Sequence, residues 1–458
     1  MIGDRHIKRL VWCGVVWCLP LSCPPLILSY RPVVSMQTAR GVGGGSRGVG
    51  ATRADAGPKK RVVILGGTGR VGASTAQRLL ELRDVDVVLA GRNRAKFDVA
   101  MEECPKLAEA KAQFVSADAE DVRSVEAAIE GADLVVHCAG PFQGLEHCNV
   151  LDAAIAQGVP YVDVSDDTAY VQRCRARADK ARDAGVPCVT STGIFPGASN
   201  VMAVQMLDEV REGKTAEDAP SPERLLFSYF TAGSGGVGTT ILASTFLLAS
   251  EEVVCYKDGE AVTVDPVTNR RVVDFGTGVG SREVFLYNLP EVATCHETLG
   301  IPSVSARFGT SPGVWNGAMW LLSKLPRAVS RSRAFASAMA SISDPVVRLV
   351  DRIEGEAVAM RVEVEWDDGS TTCSVFSHKS LRTAVGAATA AFADAALDGD
   401  TPPGVWVPEQ PEAIPAEKRK ALLEKSAEPI GARLELGKAP WRLASKAVQL
   451  GMGLYIDR

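Results

Sequence analysis

The segment RVVILGGTGRVG (residues 61–72) decides the fold, because an apolar run of strand length passes directly into a glycine-rich turn. The ASTAQRLL that follows has the composition of a helix. Glycines let a backbone approach a pyrophosphate closely, and the free N–H groups and positive dipole end of a helix start face the anion. Gly67, Gly69 and Gly72 match the G-x-G-x-x-G pattern of dinucleotide-binding sheets, and Gly66 begins an equally good G-x-x-G-x-x-G variant.

The second predicted strand ends in basic residues where a carboxylate is usual. Residues 85–90 are apolar except for Asp86 and are followed by Gly91, Arg92, Asn93 and Arg94. Sites that prefer NAD generally carry an acidic residue roughly 20 positions after the glycines, where it binds the ribose 2′-OH. A guanidinium instead suits a 2′-phosphate and can stack on adenine. The sequence therefore predicts NADP(H), with Arg92 as the main discriminator; in the alternative interpretation, Arg92 and Arg94 are solvated loop residues.

Residues 61 to about 200 alternate strand-like and helical segments, which predicts a parallel sheet with right-handed crossovers. Ligands of such sheets bind beyond the carboxyl ends of the strands. That edge should carry Asp118, placed to accept a hydrogen bond from the adenine amino group, and the small turn 138–140, which leaves room for ribose and nicotinamide. The predicted cofactor-binding residues are Gly66, Gly67, Thr68, Gly69, Arg70, Val71, Gly72, Arg92, Asn93, Asp118, Cys138, Ala139 and Gly140.

After about residue 200 the chain changes character. Strand-like runs joined by turns begin at residue 224, and the D-G turn within 367–370 predicts a β-hairpin. The apolar run 239–250, preceded by glycine-rich 233–238, predicts a helix packed on this second sheet. The predicted fold class is thus α/β, with an N-terminal Rossmann-type parallel sheet, a second mixed α+β domain and a helical C-terminal tail. The predicted domains are a targeting or disordered leader (1–58), an NADP-binding Rossmann domain (59–200), an α+β substrate domain (201–400), and an extended segment with a helical tail (401–458).

The leader differs in composition from the rest of the chain. Basic residues 6–9 precede the apolar run 10–19, and residues 31–58 are rich in Gly, Ser, Ala and Arg with a single acid. This order resembles a signal segment followed by a transit peptide and predicts two-step import into a plastid. A plain secretory signal and an untranslocated, cytoplasmic tail are the alternatives. Pro20, Pro24 and Pro25 end the apolar run, so no membrane-spanning helix is expected in the mature protein.

Size, charge and cysteine usage narrow the class of protein. A chain of 458 residues is longer than one typical domain, and a net charge of −5 argues against general nucleic-acid binding. The eleven cysteines include no C-x-x-C pair and no Cys/His cluster at metal spacing. This pattern indicates a reducing compartment and no metal site.

Several motifs in a fixed order resemble a known family, the saccharopine dehydrogenase-like (saccharopine reductase-like) oxidoreductases, and within it most closely the plastid and cyanobacterial branch. The similarity spans about residues 60–410 and implies an N-terminal NAD(P) domain followed by a substrate-holding α/β domain. It also implies that the Ala-rich helix after Ser377 returns to pack on the first domain. The motifs that carry the resemblance are residues 66–72, AGR at 90–92, CAGPF at 138–142, GVPYVD at 158–163, TGIFPGASN at 192–200 and PGVWVPE at 403–409.

The function expected on these grounds is an NADP(H)-dependent oxidoreductase that acts on a C=N, C=O or C=C group of a small metabolite. Tyr161 and Asp163, beyond the fifth strand, are the predicted catalytic residues, with Asp166 and Asp167 as further proton donors. Burial can tune a carboxyl group there toward a useful pKa. The alternative is that Asp163 caps a helix and Tyr161 fills the core. From the second domain, His296, Arg307 and Lys379 are candidates to reach the cleft.

Two other functions compete with this hypothesis. A non-catalytic NADP(H)-binding regulatory or scaffold protein would keep the nucleotide site without hydride transfer. A lipid-directed enoyl reductase would use the apolar segment 241–248 and the basic tail at a membrane surface, and a fully buried 241–248 helix would count against it. A small-molecule substrate is the expected partner, and a homodimer and peripheral membrane contact are both compatible with the sequence.

Overall fold

The computed structural model describes residues 58–215, 218–233, 239–445, 448–451 and 454–456. All of the predicted leader except Pro58 lies outside these residues. Residues 234–238 of the glycine-rich run also lie outside them. The targeting prediction therefore stays a prediction. Within the described residues, no helix combines the length and the apolar character needed to cross a bilayer.

The first part of the chain alternates strands and helices as predicted. Its elements are β1 (Arg61–Leu65), α1 (Arg70–Leu82), β2 (Asp86–Gly91), α2 (Arg94–Glu103), α3 (Pro105–Glu109), β3 (Gln113–Ser116), α4 (Val122–Ile129), β4 (Leu134–His137), α5 (Asn149–Gln157), β5 (Tyr161–Asp163), α6 (Thr168–Arg175), α7 (Ala178–Asp183), β6 (Pro187–Val189) and α8 (Ala198–Arg211).

A second set of elements follows. These are β7 (Pro222–Ala232), α9 (Thr239–Leu248), β8 (Val253–Lys257), β9 (Glu260–Val264), β10 (Thr268–Asp274), β11 (Ser281–Leu286), α10 (Pro290–Leu299), β12 (Ser303–Ser311), α11 (Val314–Ser323), α12 (Arg327–Ser330), α13 (Arg333–Glu354), β13 (Ala357–Trp366), β14 (Thr371–His378) and α14 (Leu381–Asp398). The chain ends with β15 (Gly404–Trp406), α15 (Ala416–Ala427), a 3-10 helix (Glu428–Ile430), β16 (Arg433–Lys438), α16 (Pro440–Leu443), β17 (Val448–Gly451) and β18 (Leu454–Ile456).

The first sheet has seven strands in the order β15-β6-β5-β4-β1-β2-β3, all paired in parallel. Its central strands β1 and β4 are almost wholly buried, as expected for a sheet covered by helices on both faces. The chain moves outward from β1 in both directions, so the ends of β1 and β4 flank the point where the strand order reverses. Ligands of doubly wound sheets bind at that point. The predicted Rossmann-type sheet is confirmed.

The second sheet is mixed, with the strand order β10-β11-β12-β7-β13-β14-β16 and a β8–β9 hairpin attached to β12. Only β7 and β12 pair in parallel; the other pairs are antiparallel. Every second side chain in the middle of β7, such as those of Phe227 and Tyr229, is buried in a core that also contains Val201 and Met202 of α8. Helix α8 thus packs on the second sheet. The predicted second mixed domain is confirmed.

Two segments near the C-terminus differ from the sequence prediction. The helical tail expected within residues 401–458 is reduced to α15, the 3-10 helix after it and the one-turn α16, and β16 instead adds a strand to the second sheet beside β14. The extended segment after residue 400 contains β15, which pairs with β6 and widens the first sheet. Both pairings join residues far apart in sequence, and such long-range partners leave no local periodic signal.

Helix α14 packs on α1 of the first sheet, and a glycine makes this close approach possible. A Cβ added to Gly386 would lie 2.3 Å from Ser74 Oγ and 2.9 Å from the Ser74 carbonyl carbon. Arg83, just after α1, pairs with Asp394 of α14 through an Nε–Oδ1 contact of 2.6 Å. The chain therefore crosses back from the second sheet to cover the first.

Replacing Gly386 with Ala is expected to lower the free energy of unfolding by about 1–3 kcal/mol, because the added methyl overpacks the α1–α14 contact. Gly317, in α11, is a matched control, since a Cβ there would meet no atom within 4 Å. Gly317→Ala should stabilise the protein by roughly 0.5–1 kcal/mol through helix propensity alone. Urea unfolding measures the change in the free energy of unfolding for each variant. If both variants were stabilised or both destabilised, the close α1–α14 packing would be contradicted.

The apolar segment considered for membrane contact is largely interior. Within α9, Leu242, Phe246, Leu247 and Leu248 are each no more than 8% exposed. Apolar residues that already pack in the core offer little area to a bilayer. The burial of this helix counts against the lipid-directed hypothesis.

Candidate dinucleotide-binding and active site

Glycines shape the turn between β1 and α1 in two different ways. Gly66 has φ +75°, and a Cβ on it would lie 2.7 Å from the Ala139 backbone nitrogen. A Cβ on Gly72 would lie 2.4 Å from the Gly66 carbonyl oxygen, so both glycines are required by the packing of the turn itself. Gly69 is different: it is exposed, and its Cβ would meet only the Gly66 oxygen, at 3.1 Å. At Gly69, open space beside the backbone is therefore available to a ligand.

Helix α1 begins next to this space without a side-chain cap. Gly69 is its N-cap residue, and no side chain accepts a hydrogen bond there. The first N–H groups of a helix have no partner in their own helix, and the helix dipole is positive at this end. The turn therefore presents backbone donors and a bare glycine, which together fit a pyrophosphate.

One cavity of about 1210 Å³ runs along the strand ends past this turn. It is large enough for a dinucleotide together with a small substrate, since sites for small ligands commonly measure about 300–1,000 Å³. Of the predicted cofactor-binding residues only Gly67 is not in its wall, because a Cβ on Gly67 would point at the Ile64 carbonyl oxygen inside the sheet, 2.6 Å away. Those that line the cavity are Gly66, Thr68, Gly69, Arg70, Val71, Gly72, Arg92, Asn93, Asp118, Cys138, Ala139 and Gly140.

At one end of the cavity, the polar groups come from residues that follow the carboxyl ends of β2 and β3. Arg92 is exposed and forms no hydrogen bond or ion pair with any other residue that the structure describes. Asn93 caps α2, since its Oδ1 accepts a hydrogen bond from the Ala95 N–H at 2.9 Å. Asp118 Oδ1 accepts a hydrogen bond from the Glu120 N–H at 3.1 Å. Lys96, on α2, also lines the cavity and adds a second cation that the sequence analysis did not select.

Replacing Arg92 with Ala should weaken NADPH binding by about 1.5–3 kcal/mol, because a charge-assisted contact to the 2′-phosphate is lost. NADH, which has a 2′-hydroxyl in that place, should bind as before. Arg94 is the matched control: it lies outside the cavity wall and pairs with Asp98 through an Nε–Oδ1 contact of 3.3 Å. Calorimetric titration of both variants with both nucleotides measures the difference, and an equal loss for NADPH and NADH in Arg92→Ala would refute the discriminator role.

The turn after β4 is neutral at physiological pH. Burial lowers the pKa of His137 to about 4, so its ring is uncharged, and it packs edge-on against Phe142 with centroids 5.0 Å apart. Burial raises the pKa of the Cys138 thiol to about 12, so no thiolate forms. Neither side chain supplies a charge or a nucleophile at this point of the cavity.

Tyr161 and Asp163, the predicted catalytic residues, lie inside the protein, and neither is in the cavity wall. The Tyr161 hydroxyl donates to Asp163 Oδ2 at 2.9 Å, and burial raises the Tyr161 pKa well above its usual value. The Asp163 carboxylate also accepts hydrogen bonds from Ser165, from the Thr190 hydroxyl and from the Ser191 N–H at 2.8 Å. This geometry ties β5 to the end of β6 and leaves no oxygen of Asp163 for a substrate, so a structural role replaces the predicted catalytic one.

Asp166, three residues further on, is placed differently. It is half-buried in the cavity wall, and Gln143 Nε2 donates to its Oδ1 at 3.0 Å. Burial raises the pKa of Asp166 to about 6, and the nearby Asp167 adds to the rise. Asp167 is not available in the same way, because it caps α6 by accepting from the Tyr170 N–H at 2.6 Å.

A further buried carboxyl group comes from the segment after α9. Burial, together with the charge of Asp167, raises the pKa of Glu251 to about 8, and Asn288 Nδ2 donates to Glu251 at 3.0 Å. The raised pKa favours the protonated form of Glu251, which reduces the negative charge beside Asp166.

The residues that the C-terminal half contributes to the cavity are not those predicted. His296 stacks on Tyr256, Arg307 lines a different pocket, and Lys379 is exposed outside the cavity wall. The residues that do reach the cavity belong to no sequence motif, and only tertiary packing brings them here. They are Thr240, Ile241 and Ser244 of α9, Arg333 and Arg348 of α13, and Leu381 and Val385 of α14.

Arg333 connects the C-terminal half to the cofactor end of the cavity. Its Nη1 lies 3.2 Å from Glu120 Oε1, and its Nη2 donates to the Pro141 carbonyl oxygen at 3.4 Å. The start of α13 is thus held over the turns that follow β3 and β4. Phe195 and Ile241, also in the wall, add apolar surface that excludes water from the cavity.

Comparison with known proteins agrees with this geometry. Residues 62–189 match the saccharopine dehydrogenase NADP-binding domain family. The apo, histidine-tagged saccharopine dehydrogenase (L-Glu forming) from Saccharomyces cerevisiae matches over 82% of this chain and 99% of that chain, with 16% identity and a TM-score of 0.55. Pen from Bacillus thuringiensis matches over 34% of this chain and 57% of that chain, with 19% identity and a TM-score of 0.25. No curated protein matches the sequence.

The yeast match shows a shared fold, and the family match concerns the first sheet and its glycine turn. The matched range contains every predicted cofactor-binding residue. Over residues 62–189 the chain is accordingly similar to the NADP-binding domain of saccharopine dehydrogenase.

Proposed function

We propose that the protein is an NADP(H)-dependent oxidoreductase that acts on a C=N, C=O or C=C group of a small metabolite. The observation that carries this proposal is the continuity of one cavity, which joins the glycine turn and Arg92 to the Asp166 carboxyl group under a cover from the C-terminal half. The cofactor, when bound, supplies or accepts a hydride at C4 of its nicotinamide ring.

In this proposal the chain's own residues bind the cofactor, orient it relative to the substrate and shield both from water. The turn around Gly69 and the start of α1 hold the pyrophosphate, and Arg92 and Lys96 neutralise the 2′-phosphate. The small turn at Cys138–Gly140 gives room beside the ends of β4 and β5, where Asp166 stands. Fixing the reacting groups in one dry cavity supplies much of the rate enhancement of such enzymes.

Asp166 is the group that holds or moves the proton. Reduction of a C=N, C=O or C=C group requires a proton as well as a hydride, and a general acid must reach the substrate from the cavity wall. Asp166 does so with a pKa of about 6, near the pH at which an acid and its base are both populated. Its hydrogen bond from Gln143 fixes the orientation of the carboxyl group.

Deuteride transfer tests the function directly. The purified protein, incubated with NADPH carrying deuterium at C4 and a panel of imines, aldehydes, ketones and enones, should give a product heavier by one mass unit. Tight NADPH binding with no transfer to any member of the panel would contradict the enzymatic proposal and favour a regulatory NADP(H)-binding protein. Gly69→Val, which removes the pyrophosphate space, is the blank for the assay.

A further inference from the structure

A second pocket of about 450 Å³ lies on the second sheet and shares no residue with the nucleotide cavity. Its floor is formed by β7 and β12, and its sides by the β8–β9 hairpin and β10. Both the sheet floor and the hairpin contribute apolar side chains, among them Leu226, Val264 and Leu286. The volume is within the range of sites that hold small organic ligands.

The charged side chains of this pocket are mostly cationic. Arg224, Lys257, Arg271 and Arg307 line it, and Glu365 is the single acid in its wall. Glu365 is used by Arg224, through an Oε2–Nη1 contact of 3.2 Å. The lining therefore holds more positive charge than its own carboxylate can neutralise.

The carboxylate beside Arg271, that of Glu363, also forms ion pairs within the protein. Glu363, which lies behind the wall, contacts Arg271 at 3.3 Å and accepts a hydrogen bond from Arg361 Nη2 at 2.8 Å. This single carboxylate, only 7% exposed as a side chain, serves two guanidinium groups. Its Oε2 makes no hydrogen bond, and its charge partly offsets a third guanidinium that lies beyond ion-pair distance.

Arg307 is that third guanidinium, and it has no carboxylate within ion-pair distance among the residues that the structure describes. Its partners are neutral: Nη1 donates to Ser305 Oγ at 3.0 Å, and Nε donates to the Asn269 carbonyl oxygen at 3.4 Å. Burial and the neighbouring charge of Arg271 lower its pKa. A half-buried cation beside a second cation is costly unless an anion compensates it.

We propose that this pocket binds an amphipathic anion, with a carboxylate or phosphate head on Arg307 and Arg271 and an apolar body against Leu226, Val264 and Leu286. A guanidinium pair suits a two-oxygen head group, because each guanidinium has five N–H donors and those not used within the protein can form charge-assisted hydrogen bonds with the head group. The apolar walls exclude a purely inorganic ligand as the best fit. The site is separate from the nucleotide cavity, so it stands whether or not the oxidoreductase proposal holds.

Calorimetric titration of the full chain with sodium octanoate and with octyl phosphate tests this site. One or both should bind once per chain and more tightly than acetate or 1-octanol, which carry only the head or only the body. Stronger octanoate binding would identify a carboxylate ligand, and stronger octyl phosphate binding a phosphate ligand. Arg307→Gln should weaken binding about tenfold or more, and Arg307→Lys less, since a lysine keeps the charge but loses the fork.

Arg270 provides the matched control, because it neighbours Arg271 on β10 but lies outside the pocket wall and pairs with Glu283. Arg270→Gln should bind octanoate as the unmodified protein does, and saturating NADPH should not displace the ligand. Unchanged NADPH affinity in Arg307→Gln shows that the variant is folded. The proposal is overturned if neither amphiphile binds, if folded Arg307→Gln binds them equally well, or if Arg307→Gln instead abolishes self-association seen by sedimentation.

Discussion

Gly69→Val is expected to abolish the binding of NADPH and NADH alike while lowering the free energy of unfolding by only about 1 kcal/mol, the usual difference between a favoured and a disfavoured N-cap residue. Gly69 has φ −82° and ψ 165°, an extended conformation that valine adopts readily. A Cβ there would meet one atom within 4 Å, the Gly66 carbonyl oxygen at 3.1 Å, so the turn has to adjust slightly. No side-chain cap is lost, because glycine provides none. The branched side chain would fill the space that we assign to the pyrophosphate. Fluorescence titration with each nucleotide measures the effect, and an unaltered curve would refute that assignment.

Gly72 supplies the contrast for this experiment. A Cβ on Gly72 would lie 2.4 Å from the Gly66 carbonyl oxygen and 2.7 Å from the Gly67 Cα, with backbone on both sides. Gly72→Ala should therefore lower the urea midpoint before it affects any ligand. A comparable loss of stability in Gly69→Val would mean that the two glycines do the same structural work, and the ligand interpretation of Gly69 would fail.

Asp166→Asn is expected to lower the rate of hydride transfer by roughly 10²–10⁴-fold while NADPH affinity is retained, because the amide keeps the shape but cannot deliver a proton. The direction in which the rate changes with pH follows from the pKa of Asp166. With a pKa of about 6, Asp166 is protonated below that pH, so the reduction rate should fall as pH rises through this value. In the oxidation direction the ionised form is required, and the rate should rise over the same interval. Rate measurements from pH 4.5 to 8 in both directions would show these opposite limbs.

The control for Asp166 is Asp163, because the two carboxyl groups are close in sequence but have different surroundings. Asp163→Asn replaces a fully hydrogen-bonded interior carboxylate and should mainly reduce stability, since some of its donors lose their acceptor. A folded Asp166→Asn variant with an unchanged rate and an unchanged pH profile would exclude Asp166 as the proton donor.

The first sheet was predictable because its signals are local. Each strand and helix has its own period, and the glycine turn at residues 66–72 fixes where the sheet begins and which edge holds the ligand. Arg92 and Asp118 could be placed at that edge from strand ends alone, and the structure puts both in the cavity wall. Gly67 could not be told from its neighbours, since only the backbone path shows that its missing Cβ faces the strand.

The parts of the site that depend on distant packing could not be predicted in the same way. Asp163 looked available because its partners Thr190 and Ser191 come from the next strand end. Arg333 and Ile241 reach the cavity from helices whose position is set by the second sheet, and no spacing in the sequence marks them. The strands β15 and β16 were missed for a related reason, because their pairing partners lie on sheets formed by much earlier residues.

Calorimetric titration of the protein with NADPH and NADH is the most direct measurement of the central claim, that the glycine turn and Arg92 form a cradle for a phosphorylated nicotinamide dinucleotide. We predict one NADPH site per chain and an NADH affinity at least about tenfold weaker, as expected when one charge-assisted phosphate contact is absent. The absence of binding heat with either nucleotide would contradict the claim.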